Sequence, residues 1–189
     1  MNNNEGDLLK YRTQIAIIGS RNLDEDDLLR VEDISFALIE EKHRIVTGGI
    51  GSLQKAVQRG AKKSIHSTDG DTIAILPGFD PEPVIGFADI IIPTGLDILR
   101  NAIVANSDAV LCINGGSGTL SEISFAWQMN RPIINIGTKG WSSEMANKVL
   151  DQRFPESKII DCSTSTEKEI IQILREVLQE RRVRHEGIK

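Results

Sequence analysis

The sequence contains only two cysteines, Cys112 and Cys162, in a chain of 189 residues. Nothing in their number or spacing indicates a disulfide framework, so we expect two reduced thiols. No apolar run approaches the ~20 residues that a membrane-spanning helix needs. The start of the chain, residues 1–5, is polar and lacks the features of a signal peptide. These absences predict a cytoplasmic protein with no membrane segment.

Acidic residues outnumber basic ones, and histidine is scarce. The formal net charge is −5, which argues against a broad nucleic-acid surface because such surfaces carry an excess of Lys and Arg. One basic cluster near the C-terminus is typical of a solvated helix end. Its members are Arg181, Arg182, Arg184 and Lys189. The three histidines, His43, His66 and His185, fit no Ser-His-Asp or metal-ligand spacing and are expected at the surface.

The sequence does contain a regular alternation of short apolar runs and amphipathic stretches. Since strands and helices alternate throughout, the predicted fold class is α/β, a three-layer fold with a mostly parallel sheet of about seven strands. The chain, residues 1–189, is expected to form a single domain in which residues 1–12 are a loose lead-in. The predicted strands are residues 14–19, 44–47, 71–76, 88–92, 109–113, 132–137 and 158–161.

Local signals mark several helices. An acidic cluster at residues 24–27 predicts a helix start, because negative charge is favourable at a helix N-terminus. Trp141 and Val149 mark a helix after the sixth strand, and Trp141 is interpreted as a packing residue. Thr166 and Glu169 have the spacing of a capping box, which predicts the start of a final helix.

The most informative stretch is residues 114–122, Asn-Gly-Gly-Ser-Gly-Thr-Leu-Ser-Glu. It follows the apolar run 109–113 and precedes Leu120, Ile123 and Trp127 at helical spacing, so it is a strand-to-helix turn. Such a turn lies at the carboxyl edge of a parallel sheet, where open α/β folds bind ligands. Its glycines allow close approach of the backbone, and free N–H groups at a helix start attract anions. We interpret it as a phosphate cradle made of Gly115, Gly116, Ser117, Gly118 and Thr119.

Two common phosphate motifs do not fit this stretch. A Walker A loop requires a Lys after the last glycine, and none is present. A dinucleotide fingerprint would have a third glycine at Ser121 and would follow the first strand. The alternative to a ligand site is a tight turn that needs glycine only for its backbone angles.

Two other turns face the same predicted edge of the sheet. Gly48 and Gly49 follow the second strand, and Ser20 and Arg21 follow the first. These residues either contact a base or sugar, or only turn the chain. Residues 77–86, rich in Pro and Gly, predict a loop that shapes or covers the site.

Several of these motifs occur in the same order in one known family. The sequence resembles the LOG (Lonely Guy) superfamily over roughly residues 13 to 137, and it looks most like a Rossmann-like nucleotide-binding branch related to molybdenum cofactor carrier proteins. The motifs are Thr47-Gly48-Gly49, Pro77-Gly78, Thr94-Gly95, Arg100-Asn101, Ser107-Asp108-Ala109 and the stretch GGSGTLSE.

The resemblance implies a nucleotide-binding protein that hydrolyses the N-glycosidic bond of a nucleoside 5′-monophosphate to free base and ribose 5-phosphate. The alternative that it implies is a non-catalytic carrier or sensor of a nucleotide or of a molybdopterin-type phosphate. More distant relatives bind single-stranded DNA, which the acidic balance argues against here. No cofactor is required, the molybdenum cofactor is a candidate carried ligand, and a homodimer is expected.

The resemblance also assigns roles to individual residues. Arg100 and Glu122 would act on the glycosidic bond, and Asn101 would be a neutral hydrogen-bonding neighbour. From the residues alone, Arg100 could instead lie on a helix surface, and Glu122 could close a capping box with Thr119. The chain departs from the enzyme motif, which has proline at position 114, lysine at position 101 and often an acid at Ser121. These departures favour phosphate binding without catalysis.

Overall fold

The structure, a computed structural model, describes residues 12–154 and 157–179. The predicted lead-in (save residue 12), the basic C-terminal cluster and His185 lie outside these residues. The strands are β1 Gln14–Gly19, β2 Arg44–Thr47, β3 Thr72–Leu76, β4 Ile90–Pro93, β5 Ala109–Ile113, β6 Ile133–Asn135 and β7 Ile160–Asp161. The helices are α1 Glu25–Glu40, α2 Gly51–Lys63, α3 Asn101–Ala105, α4 Ser117–Gln128, α5 Gly140–Met145 and α6 Glu167–Gln179, with short 3₁₀ helices at Glu82–Val84 and Asp97–Arg100.

The seven strands form one parallel sheet in the order β4-β3-β2-β1-β5-β6-β7. The chain moves outward from β1 to β4, then returns to place β5 on the other side of β1. The strand order therefore reverses between β1 and β5, the position where open α/β sheets bind ligands. This architecture confirms the predicted three-layer α/β fold, and the predicted strands are correct except at their ends.

The sheet is covered on both faces. Alternate residues of β1, such as Ile15 and Ile17, face a core that α1, α2 and α6 complete. The other alternates, such as Ala16 and Ile18, face a second core with α3, α4 and Trp127. Every residue of β5 is buried, as expected for a central parallel strand. Among the described residues, no helix is long and apolar enough to cross a bilayer.

The predicted helix starts at both ends of the chain are confirmed. Asp24 caps α1 by accepting a hydrogen bond from the amide of Asp27 at 3.0 Å. At α6, the amide of Thr166 donates to Glu169 at 2.7 Å and the amide of Glu169 lies 3.4 Å from the Thr166 hydroxyl. This reciprocal pair is a capping box.

The helix predicted to include Val149 is shorter than expected. It ends at Met145, because Asn147 adopts a φ of +60° and donates its amide to Ile159 at 2.7 Å. Val149 therefore lies outside the helix and is half exposed. Trp141 is exposed over 41% of its surface, which is more than the sequence predicts for a packing residue.

His43 also corrects a prediction. The sequence predicts it at the surface, but it is buried, with Nδ1 2.7 Å from the hydroxyl of Thr13. Burial lowers the pKa of this imidazole. By contrast Cys112 and Trp127 are buried as expected. Cys162 is buried as well, and both thiols are free.

Candidate functional site

A cleft of about 450 Å³ lies at the carboxyl edge of the sheet, where the strand order reverses. It contains every sequence-predicted site residue except Gly49, which faces an adjoining chamber, and Gly115, which lies in the turn beneath. The predicted residues in its wall are Ser20, Arg21, Gly48, Arg100, Asn101, Gly116, Ser117, Gly118, Thr119 and Glu122.

The three glycines of the predicted cradle differ in backbone conformation and in the space around them. Gly115 has a φ of +92°, and a Cβ there would lie 2.1 Å from the Thr119 hydroxyl. This glycine is required by the turn itself. A Cβ on Gly116 or Gly118 would meet no atom within 4 Å, and neither has a positive φ. Backbone strain and packing therefore do not explain these two glycines, which border open space in the cleft.

The start of α4 presents unused donors to this space. Gly116 occupies the N-cap position and provides no side-chain hydrogen bond. The amides of Ser117, Gly118 and Thr119 belong to the first turn, which has no intrahelical acceptors. Together with the helix dipole, these N–H groups favour an anion such as a phosphate.

Arg100 and Glu122 form a buried ion pair in the floor of the cleft. Arg100 Nη1 lies 3.0 Å from Glu122 Oε1, and the two residues are only 8% and 6% exposed. Arg100 is therefore not a helix-surface residue. Glu122 does not close a capping box, because α4 already begins at Ser117 and Thr119 lies inside it.

The electrostatics of this pair are dominated by burial. Desolvation raises the pKa of Glu122 to about 7, although Arg100 opposes the shift. Burial also lowers the pKa of Arg100. The Nε of Arg100 has no hydrogen-bond partner among the described residues. Arg100 thus retains donor capacity beyond its bond to Glu122.

Gly48 makes room for this arginine. A Cβ at Gly48 would lie 2.3 Å from Arg100 Nη1, so the guanidinium rests directly on the backbone after β2. Gly49 has a φ of +67°, and its Cβ would meet Leu76 at 2.2 Å. Close packing therefore explains both glycines. The packing of Arg100 against Gly48 also fixes the position of this site residue.

Asn101 supports the cradle through a hydrogen bond to Ser121. Its Nδ2 donates to the hydroxyl of Ser121 at 2.8 Å, and that hydroxyl donates to the carbonyl of Gly118 at 2.7 Å. The Ser20 hydroxyl donates to the carbonyl of Asn22 at 2.9 Å and so serves its own turn. Arg21 is exposed at the rim, and its charge contributes to lowering the pKa of Arg100.

Sequence reasoning missed the residues that hold the cradle turn. Asn114 has a φ of +54°, and its Nδ2 donates to Asp27 at 2.6 Å while its Oδ1 accepts from the Lys139 amide at 3.2 Å. Burial raises the pKa of Asp27. An Asn immediately before two glycines is a signal for a positive φ. No sequence signal links it to Asp27, because the two are 87 residues apart.

Comparison with known proteins identifies the family of this chain. Residues 12–170 match one protein-family model. The chain belongs to the SLOG cluster4 family. It is 33% identical over 124 residues to an uncharacterized protein of Archaeoglobus fulgidus. The aligned region covers 65% of this chain and 79% of the relative.

Two solved structures share the fold of this SLOG cluster4 chain. The molybdenum cofactor binding protein of Rippkaea orientalis has a TM-score of 0.74 and 26% identity, covering 89% of this chain and 99% of that one. The molybdenum cofactor carrier protein of Chlamydomonas reinhardtii has a TM-score of 0.69 and 20% identity, covering 90% and 100%. The predicted relation to a Rossmann-like branch that includes molybdenum cofactor carriers is confirmed.

Proposed function

We propose that this SLOG cluster4 protein binds a phosphorylated pterin or nucleotide in the cleft and acts as a carrier or sensor, without catalysis. One observation carries the proposal: Gly116 and Gly118 leave open space beside the first amides of α4, and neither packing nor strain requires glycine there. The two proteins of the same fold are named as a molybdenum cofactor binding protein and a molybdenum cofactor carrier protein. Their names support the same ligand class here.

The residues of the cleft fit a terminal phosphate. The amides of residues 117–119 would donate to its oxygens, and Arg21 at the rim would add a positive charge. Arg100, which lines the cleft, would lie beside the part of the ligand next to the phosphate. A molybdenum cofactor held in this way would be cargo, and the chain would contribute binding and orientation only.

The test is calorimetric titration of the protein with AMP, GMP, ribose 5-phosphate and inorganic phosphate, together with mass spectrometry of ligands that co-purify. We expect the phosphate esters to bind, and Gly118→Ala to weaken them by about tenfold because its methyl group enters the phosphate space. The melting temperature of Gly118→Ala should be unchanged or higher, since Ala favours a helix over Gly.

Gly115→Ala is the matched control at the same turn. It should lower the melting temperature, because it combines a positive φ with a clash against Thr119. Equal binding by wild type and Gly118→Ala would contradict the proposal. So would an absence of binding by every phosphate ester.

Hydrolysis of a nucleoside 5′-monophosphate is the second candidate function. The observation that favours it is a buried carboxylate, Glu122, whose pKa of about 7 suits proton transfer near neutral pH. Incubation with nucleoside 5′-monophosphates, followed by chromatography of free base and ribose 5-phosphate, tests it. Release that persists in Glu122→Gln would exclude Glu122 as the catalytic group, and no release in wild type would leave the carrier function.

The remaining expectations become proposals about the whole protein. We propose a homodimer, supported by an apolar surface on the 3₁₀ helix Asp97–Arg100 and α3, where Ile98 and Leu99 are 72% and 65% exposed. We also propose that the chain is a single domain, that it works in the cytoplasm, and that it does not bind nucleic acid, given its net charge of −5.

A further inference from the structure

A second chamber of about 630 Å³ adjoins the cleft. The two share the side chains of Ile50 and Pro77 as a common wall. Unlike the cleft, this chamber has mostly apolar walls, among them Leu76, Val84 and Phe87. A single ligand could therefore place an anionic end in the cleft and an apolar end in the chamber.

The chamber is held open by hydrogen bonds on two sides. On one side Gln54, which is 1% exposed, accepts from the Thr47 hydroxyl and donates to the carbonyl of Phe87. On the other side, the amides of Gly95 and Asp97 donate to the carbonyls of Gly78 and Pro77 at 3.1 and 3.0 Å. The loop between β3 and β4 is thus fixed as a wall, so that little ordering is needed when a ligand binds.

Two phenylalanines line this chamber. Phe79 is 82% exposed, yet its ring lies on Gly95, where a Cβ would be 2.1 Å from Cε1. Such exposure of a positioned aromatic ring is unusual for a residue with only a packing role. Phe87 also lines the chamber, and the ammonium of Lys55 lies 4.9 Å from the centre of its ring.

We propose that this chamber holds the planar heterocycle, a purine or pterin ring, of the ligand whose phosphate lies at the start of α4. The exposed ring of Phe79 offers a stacking surface, and the ammonium of Lys55, which lies over the Phe87 ring, offers a donor to a ring carbonyl. This inference rests on the proposed function, since it assigns the second half of the same ligand. Gly95 itself is required by its φ of +65°, and the ring of Phe79 packs against it.

The test compares ligands with and without a ring in matched variants. AMP and GMP carry the ring, ribose 5-phosphate does not, and calorimetry gives the affinity of each. We expect Phe79→Ala to weaken AMP or GMP by about fivefold or more, the usual effect of losing one base–aromatic stack. Ribose 5-phosphate should bind within twofold of wild type. Phe79 is exposed, so its loss should not impair folding.

Phe36→Ala is the control variant, because Phe36 is a partly exposed phenylalanine on α1 that does not line either cavity. It should leave all affinities unchanged. Equal losses for AMP and ribose 5-phosphate in Phe79→Ala, or no loss for either, would overturn the assignment. Tighter Phe79-dependent binding of decyl phosphate than of the nucleotides would also overturn it, in favour of an alkyl chain.

A further measurement separates this inference from the proposed function. Free pterin has no phosphate, and its fluorescence reports binding directly. If no phosphate ester binds but pterin fluorescence is quenched in wild type and not in Phe79→Ala, the phosphate site fails while the ring chamber stands. If pterin is not quenched and the nucleotides bind no better than ribose 5-phosphate, the ring chamber is wrong whatever the cleft binds.

Discussion

At the scale of single residues, glycines around the same site are present for different physical reasons. Gly115 is needed for the turn, Gly48 for the approach of Arg100, and Gly118 for neither. The sequence predicts that all three lie at one edge of the sheet, which the structure shows. It cannot assign the causes, because a clash with Thr119 or with Arg100 depends on atoms that only the folded chain brings together.

The buried carboxylate of Glu122 leads to a prediction about stability and pH. Its pKa of about 7 lies above the ordinary 4.5, so the folded state holds this proton more tightly than the unfolded state does. Its contribution to stability is fully present below pH 4.5 and is lost as the pH rises through 7. Between pH 5 and 8, the unfolding free energy of wild type relative to Glu122→Gln should decrease by roughly 2–3 kcal/mol.

Urea denaturation of both proteins at several pH values measures this difference. The comparison with Glu122→Gln removes the titration of the other groups, which both proteins share. A difference that stays constant with pH would mean that Arg100 keeps Glu122 ionised throughout the range.

At the scale of elements, the turn from β5 to α4 separates this chain from the enzyme motif that it resembles. Proline fixes φ near −65°, whereas Asn114 has a φ of +54°. Restoring the motif with Asn114→Pro should therefore lower the unfolding free energy by about 3 kcal/mol or more and weaken binding of ribose 5-phosphate.

Asn114→Gly provides the comparison, because glycine accepts a positive φ but loses the bonds to Asp27 and Lys139. It should destabilise the protein by only about 1–2 kcal/mol. Thermal unfolding measures the difference in stability between the two variants. If Asn114→Pro were as stable as Asn114→Gly, the backbone of this turn would differ from the one described.

The elements themselves were largely predictable from local patterns. Buried parallel strands are predictable as short apolar runs, because a strand that is buried on both faces consists mostly of apolar residues. The capping box of α6 was found because it is local. The end of α5 was not, since Asn147 leaves the helix to bond Ile159, a contact that follows from tertiary structure.

At the scale of the whole molecule, the alternation of strands and helices predicts a parallel sheet but does not determine the order of its strands. The resemblance placed Arg100 and Glu122 in one site, which local patterns alone could not do. The chamber wall formed by Phe79 and Phe87 could be expected only as a loop, because the bonds of Gln54 that position it are not encoded in any local motif.

The apolar surface around Ile98 leads to a prediction about assembly. If the homodimer uses this surface, Ile98→Lys should convert the protein to a monomer, because burying an unpaired ammonium in an interface is strongly unfavourable. Light scattering after gel filtration measures the mass. Ile65→Lys is the control, since Ile65 is 92% exposed at the end of α2. A dimer that persists in Ile98→Lys would place the interface elsewhere.

The position of β1 also has a consequence for how the protein acquires its site during synthesis. The backbone amide of Gln14 bonds the carboxylate of Asp108 across 94 residues, and β1 then pairs with β5 along its length. A growing chain on the ribosome can pair β1 with β2 early, but the cleft gains its second wall only after α4 has left the exit tunnel. Until then the carboxyl edge of β1 has an exposed side, and a chaperone or early ligand would encounter half a site.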